Sequence, residues 1–131
     1  MIEDFSGKSL ALFLKKNIEK KININSLKKI KDYSIKNKAD VRICLHNSKN
    51  KGPQVMIISK YRNNSDKNKF FHHKEKKFFL ILEGVLILNN KKKKFELSKN
   101  KIFCIFTKKK NTFSSYSKSK TSLYLEIIFK D

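Results

Sequence analysis

The spacing of apolar residues along the chain changes near residue 40. Upstream, Leu10, Phe13, Leu14 and Ile18 recur at the three- and four-residue intervals that line one side of a helix, and Ser6 or Ser9 is placed to cap its start. After Asn23 and Asn25, Ser26 can cap a second short helix. Its face carries Leu27, Ile30 and Tyr33 or Ser34, and it ends in the polar run from Lys36 to Asp40. From Val41 the period is that of a strand: Val41, Ile43 and Leu45 alternate with Arg42, Cys44 and His46, and residues 47–52 supply the turn before Pro53. A second apolar run, Gln54 to Tyr61, passes into a polar stretch over 62–69 that reads as a loop. Phe78 to Leu82 and Val85 to Leu88 are separated by Glu83-Gly84, where glycine supplies the positive φ of a turn or bulge. Asn89-Asn90 and the lysines behind them read as a hairpin turn, and further strands are predicted at Phe95 to Leu97, Ile102 to Phe106, Phe113 to Tyr116 and Leu123 to Phe129.

Seven or so short strands with turns between them, and no helical run after residue 40, predict a mainly β chain. The expected architecture is an antiparallel sandwich or small barrel preceded by one or two short N-terminal α-helices. The 131 residues suit one domain, with 1–40 as a helical segment packed on a β-barrel over 41–131. There is no internal repeat and no Pro/Gly-rich linker to divide the chain. Cys44 and Cys104 sit in apolar runs without CxxC spacing, which points to buried thiols rather than a zinc knuckle or redox pair. Lysines at alternate strand positions fit a solvated outer face.

Charge complicates this picture. The chain carries 32 Lys and Arg against 11 Asp and Glu, a net charge of +21, which standing alone would suggest a nucleic-acid or anionic-surface binder. Arg42 and Arg62 are its only arginines, however, and Lys, Asn, Ile and Phe, the residues with AT-rich codons, are abundant. Genome composition therefore accounts for much of the charge, and lysine without arginine is poor at reading bases. Nucleic acid is accordingly the lesser expectation, carried by the mixture of Lys with Tyr61, Phe70 and Phe71 between Lys60 and Lys77. No stretch reaches the roughly 20 apolar residues of a membrane-spanning helix, and Met1 to Phe5 is acidic rather than signal-like, so a cytoplasmic location is expected.

The segments Val41-Arg42-Ile43-Cys44-Leu45-His46, Gly52-Pro53-Gln54-Val55-Met56-Ile57-Ile58, His72-His73 and Phe78-Phe79-Leu80-Ile81-Leu82-Glu83-Gly84 together resemble the WbuC-type cupins, co-linearly from about Ala39 to Phe129. The resemblance implies a double-stranded β-helix, a jelly-roll barrel, with a divalent transition metal bound inside by three imidazoles and a carboxylate. It also implies a place among enzymes of bacterial surface-polysaccharide or sugar-nucleotide metabolism, and dimerisation through the sheets. Anchoring the family's first motif on Gly84 puts its carboxylate at Lys77, its second His at His72 and its first at Phe70. The second motif falls on residues 107–112 and puts the last His at Thr112. Most ligands are therefore absent, a lysine at the carboxylate position repels a divalent cation, and no cofactor is expected. His72 would be the metal ligand only if a site were retained. Sliding the motif does not restore the set, because His72 and His73 are adjacent and neighbouring strand residues face opposite sides.

Several residues then carry two readings each. His72 is either the general base of a metal-free pocket or an ordinary strand histidine with a hydrogen-bond partner. His46, Gln54, Arg42 and His73 are assigned to ligand binding by position, although His46 reads equally as satisfying a backbone carbonyl and His73 as facing outward. Arg42 reads equally as an ion-pair partner of Glu83 or Glu126, and Lys77, Tyr116 and Glu126 are polar groups that either enter the barrel or face water. The leading functional expectation is a degenerate WbuC-like cupin, with proton transfer on a sugar, an isomerisation or epimerisation, as the chemistry if it is catalytic. The alternatives are a non-catalytic cupin binding a sugar or small anion, and a basic nucleic-acid or anionic-surface binder.

Overall fold

The computed structural model describes residues 24–46, 54–70, 75–91, 93–99, 101–107 and 111–129. The first predicted helix lies outside these residues. The second is present as α1 (Ile24–Asn37), and nine strands follow: β1 (Val41–His46), β2 (Gln54–Tyr61), β3 (Asp66–Phe70), β4 (Glu75–Glu83), β5 (Val85–Asn90), β6 (Lys93–Ser98), β7 (Ile102–Thr107), β8 (Asn111–Ser117) and β9 (Thr121–Phe129). No helix follows α1 among the described residues. Strands pair antiparallel in two sheets, one in the order β1-β2-β9-β4-β7 and the other β3-β8-β5-β6. Except for β1–β2 and β5–β6, consecutive strands lie in different sheets, so strands distant in sequence become neighbours.

Two apolar clusters hold the layers together. Between the sheets lie Ile58, Phe79, Ile81, Ile105 and Tyr124 from the five-stranded sheet and Leu86, Leu88, Leu97 and Phe113 from the four-stranded one. Phe95 and Phe103, ring centroids 4.7 Å apart, join the two sheets at β6 and β7. On the other face of the five-stranded sheet, Ile30 and Leu27 of α1 cover Val55, Ile57, Phe78, Leu123, Leu125 and Ile127. The central strands of this sheet are thus buried on both sides, which explains why Phe78 to Leu82 is apolar throughout instead of alternating.

Gly84 sits at φ +81° between β4 and β5, as its place after Glu83 predicts. A Cβ there would lie 2.4 Å from the Thr121 carbonyl oxygen and 2.5 Å from Ser119 Oγ, so the close approach of the β8–β9 turn requires glycine. Ser119 Oγ accepts from Val85 N (3.0 Å), Ser122 Oγ donates to Val85 O (2.8 Å), and the buried Ser117 and Ser122 hydroxyls are 2.6 Å apart. These serines satisfy backbone groups that the turn would otherwise leave unpaired.

Three expectations are corrected. The polar stretch after Tyr61 contains a strand, β3, because Asp66 to Phe70 pairs with Asn111 to Ser115 of β8 as an edge strand, where register and not apolar alternation supplies the order. Cys44 is exposed and Cys104 half-buried, since β1 is the outer strand of its sheet and covered from one side only. Lysine is not confined to the outer face: Lys60 and Lys77 both enter the interior.

Candidate binding site between the sheets

Paired residues of neighbouring strands face the same side of a sheet, so the register fixes which side chains share the inter-sheet space. One row across the five-stranded sheet is Gln54, Ile128, Lys77 and Ile105; the next is Met56, Glu126, Phe79 and Phe103. Phe79 and Ile105 belong to the inter-sheet core, and Lys77 and Glu126 therefore stand on the inward face. Their charged ends meet at 2.9 Å, with the side chains only 13% and 7% exposed. Glu126 is thereby placed beside the position where the cupin motif has its carboxylate, and that position itself holds an ammonium. Sequence reasoning singled out both residues without pairing them, because they are 49 positions apart and meet only through the β4–β9 register.

The same register accounts for the other expected site residues. Gln54 is half-buried and shares the row of Lys77. Arg42 pairs with Ile58 and is exposed at the sheet edge. The two carboxylates considered for it each have a lysine partner, Glu83 with Lys31 of α1 and Glu126 with Lys77. Tyr116 lies on the opposite face of β8 from the buried Phe113, Ser115 and Ser117, and Lys94 Nζ stands 5.7 Å from its ring centroid. The Tyr116 hydroxyl beside it holds the Lys94 ammonium above the ordinary lysine range. His46 ends β1 after a register shift. His72 and His73 lie outside the described residues.

A second buried cation was not anticipated. Lys60, 1% exposed on β2, donates to Ser115 Oγ across the inter-sheet space (2.6 Å) and lies 3.6 Å from Asp40 Oδ2. Asp40 also accepts from the Tyr61 amide at 3.3 Å. The arrangement ties the α1–β1 connection and both sheets to one charge. Only the alternation of Ile58, Ser59 and Lys60 hinted that this lysine points inward.

The described residues do not fit a divalent metal. Phe70 offers no donor atom, Thr112 is exposed, and Lys77 is an ion-paired ammonium. Among the described residues no group of three or more His, Cys, Asp or Glu side chains converges. What the site offers is a compact ammonium–carboxylate pair bounded by Met56, Phe79, Ile105 and Ile128. Such a pair presents hydrogen-bond donors and acceptors together with little net charge.

No protein-family model matches the sequence, and no curated protein matches it. Solved structures do match. The cupin domain of an XRE family transcriptional regulator from Enterobacter cloacae superposes with a TM-score of 0.63 at 12% identity, over 71% of this chain and 98% of that one. A cupin protein from Bacteroides fragilis gives 0.57 at 22% identity, over 70% and 77%. An HTH_3 family transcriptional regulator from Vibrio cholerae gives 0.62 at 11% identity over 70% of this chain, which spans about half (51%) of that regulator's length. Nothing in these matches singles out the WbuC family or a sugar pathway. No helix among the described residues is long and apolar enough to cross a membrane. At such identities the likeness is one of fold, and the fold, two antiparallel sheets in a mainly β chain, is like that of the cupin-domain proteins it matches.

Proposed function

We propose that the chain is a cupin-type binding module whose inter-sheet space takes a small, neutral, polyhydroxylated molecule of the sugar class at the Lys77–Glu126 end. The observation that carries this reading is the nearly buried ion pair on the inward face. Taking two charges out of water is costly, and in a stability role alone apolar residues of similar size do as well or better. A binding role gives the pair a reason to be there. An ammonium and a carboxylate side by side offer donor and acceptor together, as vicinal hydroxyls require, whereas a simple anion would compete with Glu126 for Lys77. Met56 and Phe79 supply apolar surface for a ring face, and Gln54 adds an amide in the same row as Lys77.

Calorimetric titration with a panel of neutral sugars, sugar acids and sugar nucleotides tests this. The expected result is saturable binding of a neutral member and its loss in the Lys77→Met/Glu126→Leu double variant, which keeps the interior filled. Binding unchanged in that variant would refute the site. Conversion of the bound sugar, abolished by His72→Ala, would make the chain an isomerase or epimerase instead of a binding module.

A further inference from the structure

The end of the sandwich away from Lys77 and Glu126 is made of turns that gather cations. Lys38 follows α1, Arg62 follows β2, Lys99 and Lys101 flank the β6–β7 turn, and Lys118 and Lys120 belong to the β8–β9 turn; all six are exposed. Backbone contacts fix these turns to one another. Arg62 N donates to Lys120 O (3.0 Å), Lys118 N to Val85 O (2.9 Å) and Lys101 N to Ser98 O (3.1 Å), while Val85 pairs with Ser98. The Asn64 side chain donates to Lys38 O at 2.7 Å. The six cations therefore stand on a platform that crosses both sheets, whose faces in such packings lie about 10 Å apart.

Little on this platform neutralises them. Among the described residues only Lys118 of the six is in an ion pair, with the exposed Glu96 at 2.9 Å. The Lys118 hydrogen bond and charge hold the Glu96 carboxyl below the ordinary range, and Lys101 and Lys94 press it the same way. Two carboxylates bordering these turns are engaged elsewhere, Glu83 by Lys31 and Asp40 by Lys60 and the Tyr61 amide, and a third, Asp66, begins β3 after Ser65. Over residues 62–65, 99–101 and 118–120, five of ten residues are Lys or Arg, against 32 of 131 in the whole chain, so cations are concentrated in these turns.

We propose that this platform binds the phosphate backbone of double-stranded nucleic acid without reading its sequence. Duplex DNA carries a negative charge about every 1.7 Å of its axis, and lysines recognise phosphates as point charges without base specificity. The large exposed apolar side chains among the described residues, Tyr33 and Ile43, lie outside these turns. The platform thus lacks the apolar side chains by which a membrane-binding face inserts and the exposed aromatics on which unpaired bases stack. Asn63 and Ser65, both exposed beside Arg62, add neutral donors for phosphate oxygens.

Fluorescence anisotropy of a short mixed-sequence DNA duplex, with the full chain titrated at several salt concentrations, tests the proposal. Two charge-reversal variants are compared: Arg62→Glu/Lys120→Glu on the platform, and Lys91→Glu/Lys93→Glu at the β5–β6 hairpin tip on the opposite end. Both lower the net charge by the same amount, and all four side chains are exposed. The platform variant is expected to bind about tenfold more weakly at moderate salt, with the slope of log affinity against log salt shallower by about 2, while the hairpin variant keeps most of the affinity. Should the platform variant fold poorly by circular dichroism, Lys99→Glu/Lys101→Glu gives the same comparison. Equal weakening by the platform and hairpin variants would overturn the proposal, since the binding would then follow total charge. Tighter binding to phosphatidylserine-containing vesicles than to the duplex would overturn it in favour of a membrane surface.

Discussion

Lys77 and Glu126 stabilise the fold only as a pair, because either one alone would be a largely desolvated charge without its partner. Lys77→Met is therefore expected to cost roughly 3 kcal/mol in urea unfolding, and adding Glu126→Leu to recover most of that loss. Additive losses would show that the two charges do not depend on each other. Gly84 makes a second prediction at this scale. With φ at +81° and a carbonyl oxygen 2.4 Å from the position of a Cβ, Gly84→Ala must strain the backbone and displace the β8–β9 turn. A loss of at least about 2 kcal/mol should follow, and an unchanged melting temperature would contradict the geometry. The glycine was legible in the sequence because its role is local. The Lys77–Glu126 and Lys60–Ser115 contacts were not, because lysine in a strand ordinarily means a solvated face and its partners arrive from distant strands.

At the scale of elements, α1 packs on the five-stranded sheet through one apolar stripe, Leu27 and Ile30, beside the Lys31–Glu83 contact. Ile30, 4% exposed, is the residue of that stripe that enters the outer cluster over β2 and β9. Ile30→Ala should cost about 2–4 kcal/mol by thermal or urea unfolding; a cost under about 1 would mean that the helix is not held through this face. The exposed Lys118–Glu96 contact links the β8–β9 turn to β6 more weakly. Because Glu96 is held below its ordinary range, its contribution is present above its unfolded value and is lost as pH falls through the folded one. The stability difference between the unaltered chain and Lys118→Met should accordingly be small at neutral pH and vanish once pH has fallen below the lowered folded value of Glu96. A difference that grows in acid would reverse the sign. Most strands were legible because the two-residue period or an unbroken apolar run declares them. β3 was not, since Asp66 to Lys69 is polar throughout and becomes a strand only when β8 comes alongside.

The whole molecule separates two kinds of chemistry onto two ends. One end presents an internal ion pair lined by apolar side chains, and the other an external array of cations on turns. Neither was fully visible in the sequence, where the lysines form one undifferentiated excess. Register and topology distinguish those that enter the interior from those that face outward. The central claim is that the inter-sheet space at Lys77 and Glu126 is a binding site, and backbone amide NMR during titration with neutral sugars tests it most directly. The account predicts saturable shifts concentrated at Gln54, Met56, Lys77, Ile105 and Glu126, with the signals of Lys118 and Lys120 unmoved. Shifts confined to the turn end, or none across the panel, would contradict it.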